Sequence, residues 1–415
     1  MFTFFYTIFL NVYIAGIKVL SFWNPKARLW IAGRKNFPAI NFTHSADTKI
    51  VWMHCASLGE FEQGRPVIEN LKKQYSAIKI VLSFFSPSGY EIQKKYSGAD
   101  AIFYLPVDSK ANAKKLIEVI KPSLVIWVKY EYWFYYLKEL KQQNIPVLLV
   151  SGIFRNSQPF FKWYGRNWKK ILQSFTHFFV QDEASRKLLT RISIDKNVTV
   201  SGDTRFDRVI EVAEKFEHIP LIQQFCGNSK IIVAGSTWED DEAELIHYVK
   251  ANPQIKFIIA PHEIDVENLK DVQKEFAGSI FYSELAKNQQ TTANVLIIDN
   301  VGMLSRLYHY ADITYVGGGF GDDGVHNVLE AAVYGKPVIY GPEFEKFLEA
   351  IELISCGGGI IINSALELEK ELTALWANPQ LIKTAGGAAK NYVYSNAGAS
   401  KKIMTFIQEK RLLIN

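Results

Sequence analysis

Between Lys49 and Pro342 the chain keeps alternating a short apolar run with a helix-compatible stretch. The first set of runs is KIVWMHCAS at 49–57, IKIVLSFFS at 78–86, AIFYLP at 101–106, SLVIWVK at 123–129, PVLLVSG at 146–152, HFFVQ at 177–181 and VTVSG at 198–202. Runs this apolar suit strands covered by helices on both faces, which is the requirement of a parallel sheet. A polar, helix-prone stretch containing Pro220 follows, and the pattern resumes with KIIVAGST, KFIIAPH, NVLIIDN, DITYVGGG and KPVIYGP. The spacing predicts an α/β chain with two Rossmann-like domains and ligands in the cleft at the carboxyl ends of both sheets. The expected divisions are a hydrophobic segment over 1–35, a first domain over 36–205, a linker over 206–228 and a second domain over 229–415.

Composition narrows the class. A chain of 415 residues, 48% hydrophobic and 21% charged, is globular and long enough for two cores. The net charge of +5 permits a local basic patch and does not indicate a nucleic-acid protein. Three scattered cysteines, with no CxxC or Cys/His cluster, point to a reducing compartment and no structural zinc.

Residues 1–23 carry no charge before Lys18, and Lys26, Arg28, Arg34 and Lys35 follow. The absence of a basic start and of a cleavage site argues against a signal peptide. The length is marginal for spanning a bilayer and sufficient for an anchor that leaves the rest of the protein cytoplasmic; the alternative is an amphipathic helix buried on the first domain. Between Ser151 and Ser174, Arg155, Lys162, Arg166, Lys169 and Lys170 interleave with six aromatic rings and no acid. That mixture suits an interfacial segment beside anionic headgroups, a single-strand stacking surface, or a plain cover helix.

Chemistry is expected at the strand ends. In HCASLGE, Ser57 and Gly59 make a strand-to-helix turn and Glu60 opens the helix, where the dipole favours its anion; an ordinary first-turn Glu is the alternative. Glu131 sits among Tyr130, Tyr132 and Trp133, as a raised acid, an electrostatic element or a solvated loop residue. Arg205, just past a strand end, is placed to hold an anion or to pair with Asp203 or Asp207. GSTWEDDE reads as a capped helix start, His262 ends another strand, and Val301, Gly302 and Met303 open a helix. In GGGFGDDGVHNVLE, Gly317, Gly318 and Gly319 follow a strand and a helix is expected to reopen at His326 or Asn327, so that amide groups and a helix N-terminus meet a phosphate while Asn327 and Glu330 face a nucleotide; a ligand-free turn is the alternative.

With these residues aligned, the chain resembles the 3-deoxy-D-manno-octulosonic acid (Kdo) transferases of lipopolysaccharide synthesis, glycosyltransferases of the GT-B fold. The similarity rests on ASLGE at 56–60, YEYW, GDTRFD at 202–207, GSTWEDDE at 235–242 and the block at 317–342. The resemblance implies that Glu60 is the proton acceptor and that Glu131 and Arg205 stabilise the transition state. It implies that Pro261, His262, Val301 to Met303, and Asn327, Val328, Leu329 and Glu330 bind CMP, beside Gly318 and Gly319. Arg205 stands where the family usually has Lys, the family's PRHPxR is reduced to PHE, and its MGE is VGM. The implied reaction moves Kdo from CMP-Kdo to a lipid A precursor at the cytoplasmic face of the inner membrane, with no metal, cofactor or nucleic acid. The alternatives are another GT-B enzyme using a UDP-sugar on a lipid, or a non-catalytic, membrane-attached nucleotide sensor. The missing GxGxxG disfavours a nicotinamide-dependent dehydrogenase.

Overall fold

A computed structural model describes residues 2–40, 48–288 and 291–414; Met1, residues 41–47 and 289–290, and Asn415, which fall within the expected domains, lie outside the described residues. The chain forms two compact units, Met1–Arg208 with Ala397–Asn415, and Val209–Asn396.

The first unit is built on seven parallel strands: β1 (Ile50–Cys55), β2 (Lys79–Phe84), β3 (Ala101–Tyr104), β4 (Leu124–Val128), β5 (Val147–Gly152), β6 (His177–Val180) and β7 (Val198–Val200), in the order 3-2-1-4-5-6-7. All seven match the apolar runs read from sequence. Alternation along β1 sends Ile50 and Trp52 into one core and Val51, Met53 and Cys55 into the other, so a helical layer is needed on each face.

The second unit has seven further parallel strands: β8 (Ile231–Thr237), β9 (Lys256–Pro261), β10 (Ile280–Phe281), β11 (Val295–Ile297), β12 (Ile313–Val316), β13 (Val338–Tyr340) and β14 (Gly359–Ile361), ordered 10-11-9-8-12-13-14. Two are additions to the sequence reading. β10 has only two residues, and β14 starts in a glycine run, so neither carries an apolar pattern long enough to recognise.

The boundaries differ from those expected. The stretch 206–228 is mostly helical, within Thr204–Glu214 and Pro220–Cys226. The C-terminal helix Ala399–Glu409 packs on the first sheet, with Ile403, Met404 and Ile407 in the same core as Val51, Met53 and Leu82. Asp207 fixes its start by accepting the Gly398 and Ser400 amides at 2.5 and 2.6 Å.

Residues Phe2–Leu20 form one helix, and Pro25–Ala32 a second that starts where the Asn24 side chain accepts the Ala27 amide at 3.0 Å. Only Tyr6 and Leu10 of the first helix are buried. The Tyr6 hydroxyl donates to buried Asp108 at 2.6 Å, and Asp108 also accepts the Tyr135 and Tyr136 amides at the start of Phe134–Gln142. Phe4, Phe5, Phe9 and Val12 are between 60 and 66% exposed, so the helix is docked along one stripe with a broad apolar face outward.

Candidate functional sites at the strand ends

In the first unit, Ser57 caps the helix Leu58–Gln74 immediately after β1, which brings Glu60 back over the strand end. The Glu60 carboxylate accepts the Ala56 amide and is also hydrogen-bonded by the Tyr130 amide. Burial nevertheless pushes its pKa up to about 7, with Glu131 adding to the rise and Lys129 opposing it. The sequence reading, in which the helix N-terminus sets the ionisation, is corrected here: desolvation outweighs the dipole.

Glu131 follows β4 and is no solvated loop residue. Its side chain is 16% exposed, and its Oε2 receives Trp133 Nε1 at 2.9 Å and lies 2.6 Å from His54 Nε2. Arg205 takes the pairing arrangement: its Nε donates to Asp203 at 2.8 Å, and Gln63 also donates to that carboxylate. Arg155, Arg205, Glu60 and Asp203 all act electrostatically on Tyr130, so the three expected catalytic residues gather at the carboxyl ends of β1, β4 and β7.

The basic aromatic stretch is divided between core and surface. Phe154 and Phe160 are buried, whereas Trp163 and Tyr164, on the turn before Arg166–Leu172, are 95 and 55% exposed. A continuous cover helix is therefore absent. Trp168 packs edge-on to Phe2 of the N-terminal helix, with ring centroids 5.3 Å apart, which makes the outward apolar helix and this segment neighbours.

In the second unit the glycines serve a different purpose from the expected anion cradle. Gly317 donates to Gly235 and Gly318 to the buried Asp241 carboxylate, at 2.9 and 2.7 Å, so neither amide is offered to a phosphate. A Cβ on Gly317 would meet Ser236 O at 2.4 Å, and one on Gly319 would meet Gly341 N at 2.6 Å. These residues are glycine because backbones pass at contact distance. Asp241 also accepts the Trp238 amide at 3.0 Å and the Tyr315 hydroxyl at 2.8 Å, tying the helix Glu239–Ala251 to β12 and the glycine turn. The expected helix at His326 or Asn327 instead begins at Leu329 and has four residues, as does Leu304–Leu307 after Met303. A single turn sums few peptide dipoles, so the helix-terminus argument for anion binding weakens at both places.

What remains there is polar and specific. Asn327 donates to Glu330 at 2.9 Å, while its Oδ1 is buried without a hydrogen-bond partner, as is Asn300 Oδ1 just before Val301. The His262 ring lies flat against Trp238 and His326, with centroids 4.6 and 4.4 Å away. Trp238 Nε1 donates to His326 Nε2 at 2.9 Å, which puts the imidazole hydrogen on Nδ1, and burial lowers the His326 pKa to about 4. Val301 is exposed, Gly302 has φ of +91°, and Met303 is buried.

The model of the 3-deoxy-D-manno-octulosonic-acid transferase (kdotransferase) family matches residues 28–208. A 3-deoxy-D-manno-octulosonic acid transferase of Aquifex aeolicus is 29% identical over 340 residues, 80% of this chain and 88% of the relative. That of Haemophilus influenzae is 24% identical over 427 residues, 98% of each. The chain is thus similar to Kdo transferases over most of its length.

A bifunctional glycosyltransferase/methyltransferase of Fusobacterium nucleatum is also similar, 29% identical over 351 residues that make 81% of this chain and 54% of the relative; the chain thus spans about half of that longer protein. Among solved structures, UDP-GlcNAc 2-epimerase of Neisseria meningitidis has a TM-score of 0.63 at 19% identity, covering 87% of this chain and 100% of that one. MurG of Acinetobacter baumannii has a TM-score of 0.53 at 13% identity, covering 87% and 99%. These likenesses carry the GT-B fold alone. Sequence reasoning missed His54, Lys129, Asp241 and His326 as members of the strand-end clusters. His54 had a visible signal, a polar side chain inside the apolar run IVWMHC.

Proposed function

We propose that this protein is a Kdo transferase, a glycosyltransferase that moves Kdo from CMP-Kdo to a lipid A precursor held in the cytoplasmic leaflet of the inner membrane. The observation that carries the reading is Glu60: a buried carboxyl at a strand end, poised near neutrality beside a second carboxylate. A group with that pKa accepts a proton from a sugar hydroxyl at physiological pH and releases it afterwards. The acceptor oxygen then attacks the anomeric carbon of Kdo as the bond to the CMP phosphate breaks. Glu131, as a carboxylate, offsets the positive charge that grows on the sugar ring, and Arg205 offsets the negative charge on the departing phosphate.

In the second unit, the buried acceptors Asn327 Oδ1 and Asn300 Oδ1 favour a ligand that brings hydrogen-bond donors, as a cytidine does with its amino and ribose hydroxyl groups. Glu330, oriented by Asn327, suits a ribose hydroxyl. Glu330→Ala is therefore expected to weaken CMP binding by about 1–3 kcal/mol. Unchanged affinity by calorimetry puts the nucleotide elsewhere.

The outward face of Phe2–Leu20 and the exposed Trp163 and Tyr164, with cations beside them, support attachment to an anionic bilayer surface. Mass spectrometry of a lipid A precursor incubated with the protein and CMP-Kdo tests the whole reading. The expected product is the acceptor heavier by Kdo, and its absence alongside transfer from a UDP-sugar rejects the donor.

A further inference from the structure

Beneath Glu131 runs a line of buried polar side chains. Trp52 Nε1 donates to Ser83 Oγ at 2.8 Å, Ser83 Oγ lies 2.9 Å from His54 Nδ1, and His54 Nε2 lies 2.6 Å from Glu131 Oε2. Trp52, His54 and Ser83 are fully buried within β1 and β2, among largely apolar neighbours.

The hydrogen positions follow from chemistry. An indole N–H only donates, so the Ser83 oxygen is its acceptor and the serine hydrogen is available to His54 Nδ1. A ring hydrogen on Nδ1 instead would turn the Nε2 lone pair toward a carboxylate 2.6 Å away. The imidazole therefore carries its hydrogen on Nε2 and donates it to Glu131. Trp133 Nε1 reaches the same oxygen at 2.9 Å. Two rigid donors on Oε2 fix the orientation of the carboxylate and leave Oε1 to meet a ligand.

We propose that His54 is a positioning residue for glycosyl transfer, holding Glu131 as an oriented carboxylate, with Trp52 and Ser83 setting the imidazole tautomer. The inference rests on the reading that Glu131 stabilises charge in the transition state. Burying this line would be a poor exchange for apolar packing if it served stability alone, because polar groups withdrawn from water gain little over well-packed hydrophobic ones.

The test uses the full chain with CMP-Kdo and a lipid A precursor, and compares His54→Gln, Ser83→Ala, Glu131→Gln and the double variant His54→Gln/Glu131→Gln. His54→Gln is expected to lower kcat by about 10- to 100-fold, the scale of a misplaced catalytic group, with the KM for CMP-Kdo within about twofold. Ser83→Ala, which leaves His54 in place, moves kcat the same way by less. The double variant is expected to be no slower than Glu131→Gln, because His54 acts only through that carboxylate. Losses that multiply in the double variant, or full turnover in both His54→Gln and Ser83→Ala while Glu131→Gln is slow, overturn the proposal. Should His54→Gln fail to fold, Ser83→Ala and its double with Glu131→Gln give the same comparison. Wild-type turnover in Glu131→Gln itself removes the role of Glu131 and this inference with it, a result read without touching His54.

Discussion

At Glu60 the helix N-terminus and the Ala56 and Tyr130 amides favour the carboxylate, burial and Glu131 favour the acid, and the group settles near 7 against an ordinary 4.5. Because the folded-state value lies above the unfolded one, the folded protein binds the proton more tightly. The associated stability is fully present below about 4.5 and is lost as pH rises through about 7. The same rise in pH produces the base, so catalytic competence grows over the window in which that stability is given up. The kcat/KM profile is expected to show an acid limb inflecting near pH 7, with turnover in Glu60→Gln reduced by roughly 100-fold or more and the limb gone. Above pH 8 the variant should melt no lower than wild type, since it removes a buried charge. An acid limb that survives the substitution assigns the titration to another group.

Among the elements, the N-terminal helix is neither a free anchor nor a buried cover. Its Tyr6 hydroxyl completes the shell of Asp108, whose carboxyl burial pushes up to about 6, and Tyr13 stacks on Phe85, which in turn packs 4.8 Å from Trp133. Deleting residues 1–23 would therefore remove folded contacts together with any anchor. A cleaner test replaces the outward Phe4, Phe5, Phe9 and Val12 with Gln. The expected result is release from anionic vesicles in high salt, where cations are screened, with the melting temperature held within a few degrees. Continued vesicle binding in high salt argues against this face as the anchor. Tyr6→Phe, by contrast, is expected to cost about 1–3 kcal/mol by leaving a buried carboxyl group short of a donor. The length and apolarity of this helix were legible because they are properties of a local run. Its single docked stripe was not, because Tyr6 finds Asp108 across 102 residues of sequence. The short helix at Leu329 escaped for a related reason: a capping pattern after glycines reads the same whether one turn follows or four.

For the whole molecule, the strands were legible because each is a contiguous apolar run, and the clustering of Glu60, Glu131 and Arg205 followed from parallel topology, which collects strand ends on one side of a sheet. What sequence did not reveal is the return of the C-terminal helix to the first unit. The helix Ala399–Glu409 has the ordinary amphipathic pattern, and nothing in such a pattern names the sheet it will cover. Its assignment comes from two long-range contacts, the Asp207 cap at its start and the burial of Ile403 and Ile407 against β1 and β2. Asp207 lies in GDTRFD, where a pairing role with Arg205 was one reading; the structure gives it to the Gly398 and Ser400 amides instead. Ile407→Ala is expected to destabilise the first unit by about 2–5 kcal/mol, the range for emptying a fully buried aliphatic site, and Asp207→Ala by about 0.5–2 kcal/mol for loss of a cap. CMP binding, assigned to residues of Val209–Asn396, should survive both changes under conditions where the protein is folded. If Ile407→Ala leaves the denaturant midpoint of the first unit unchanged, the C-terminal helix is not part of its core.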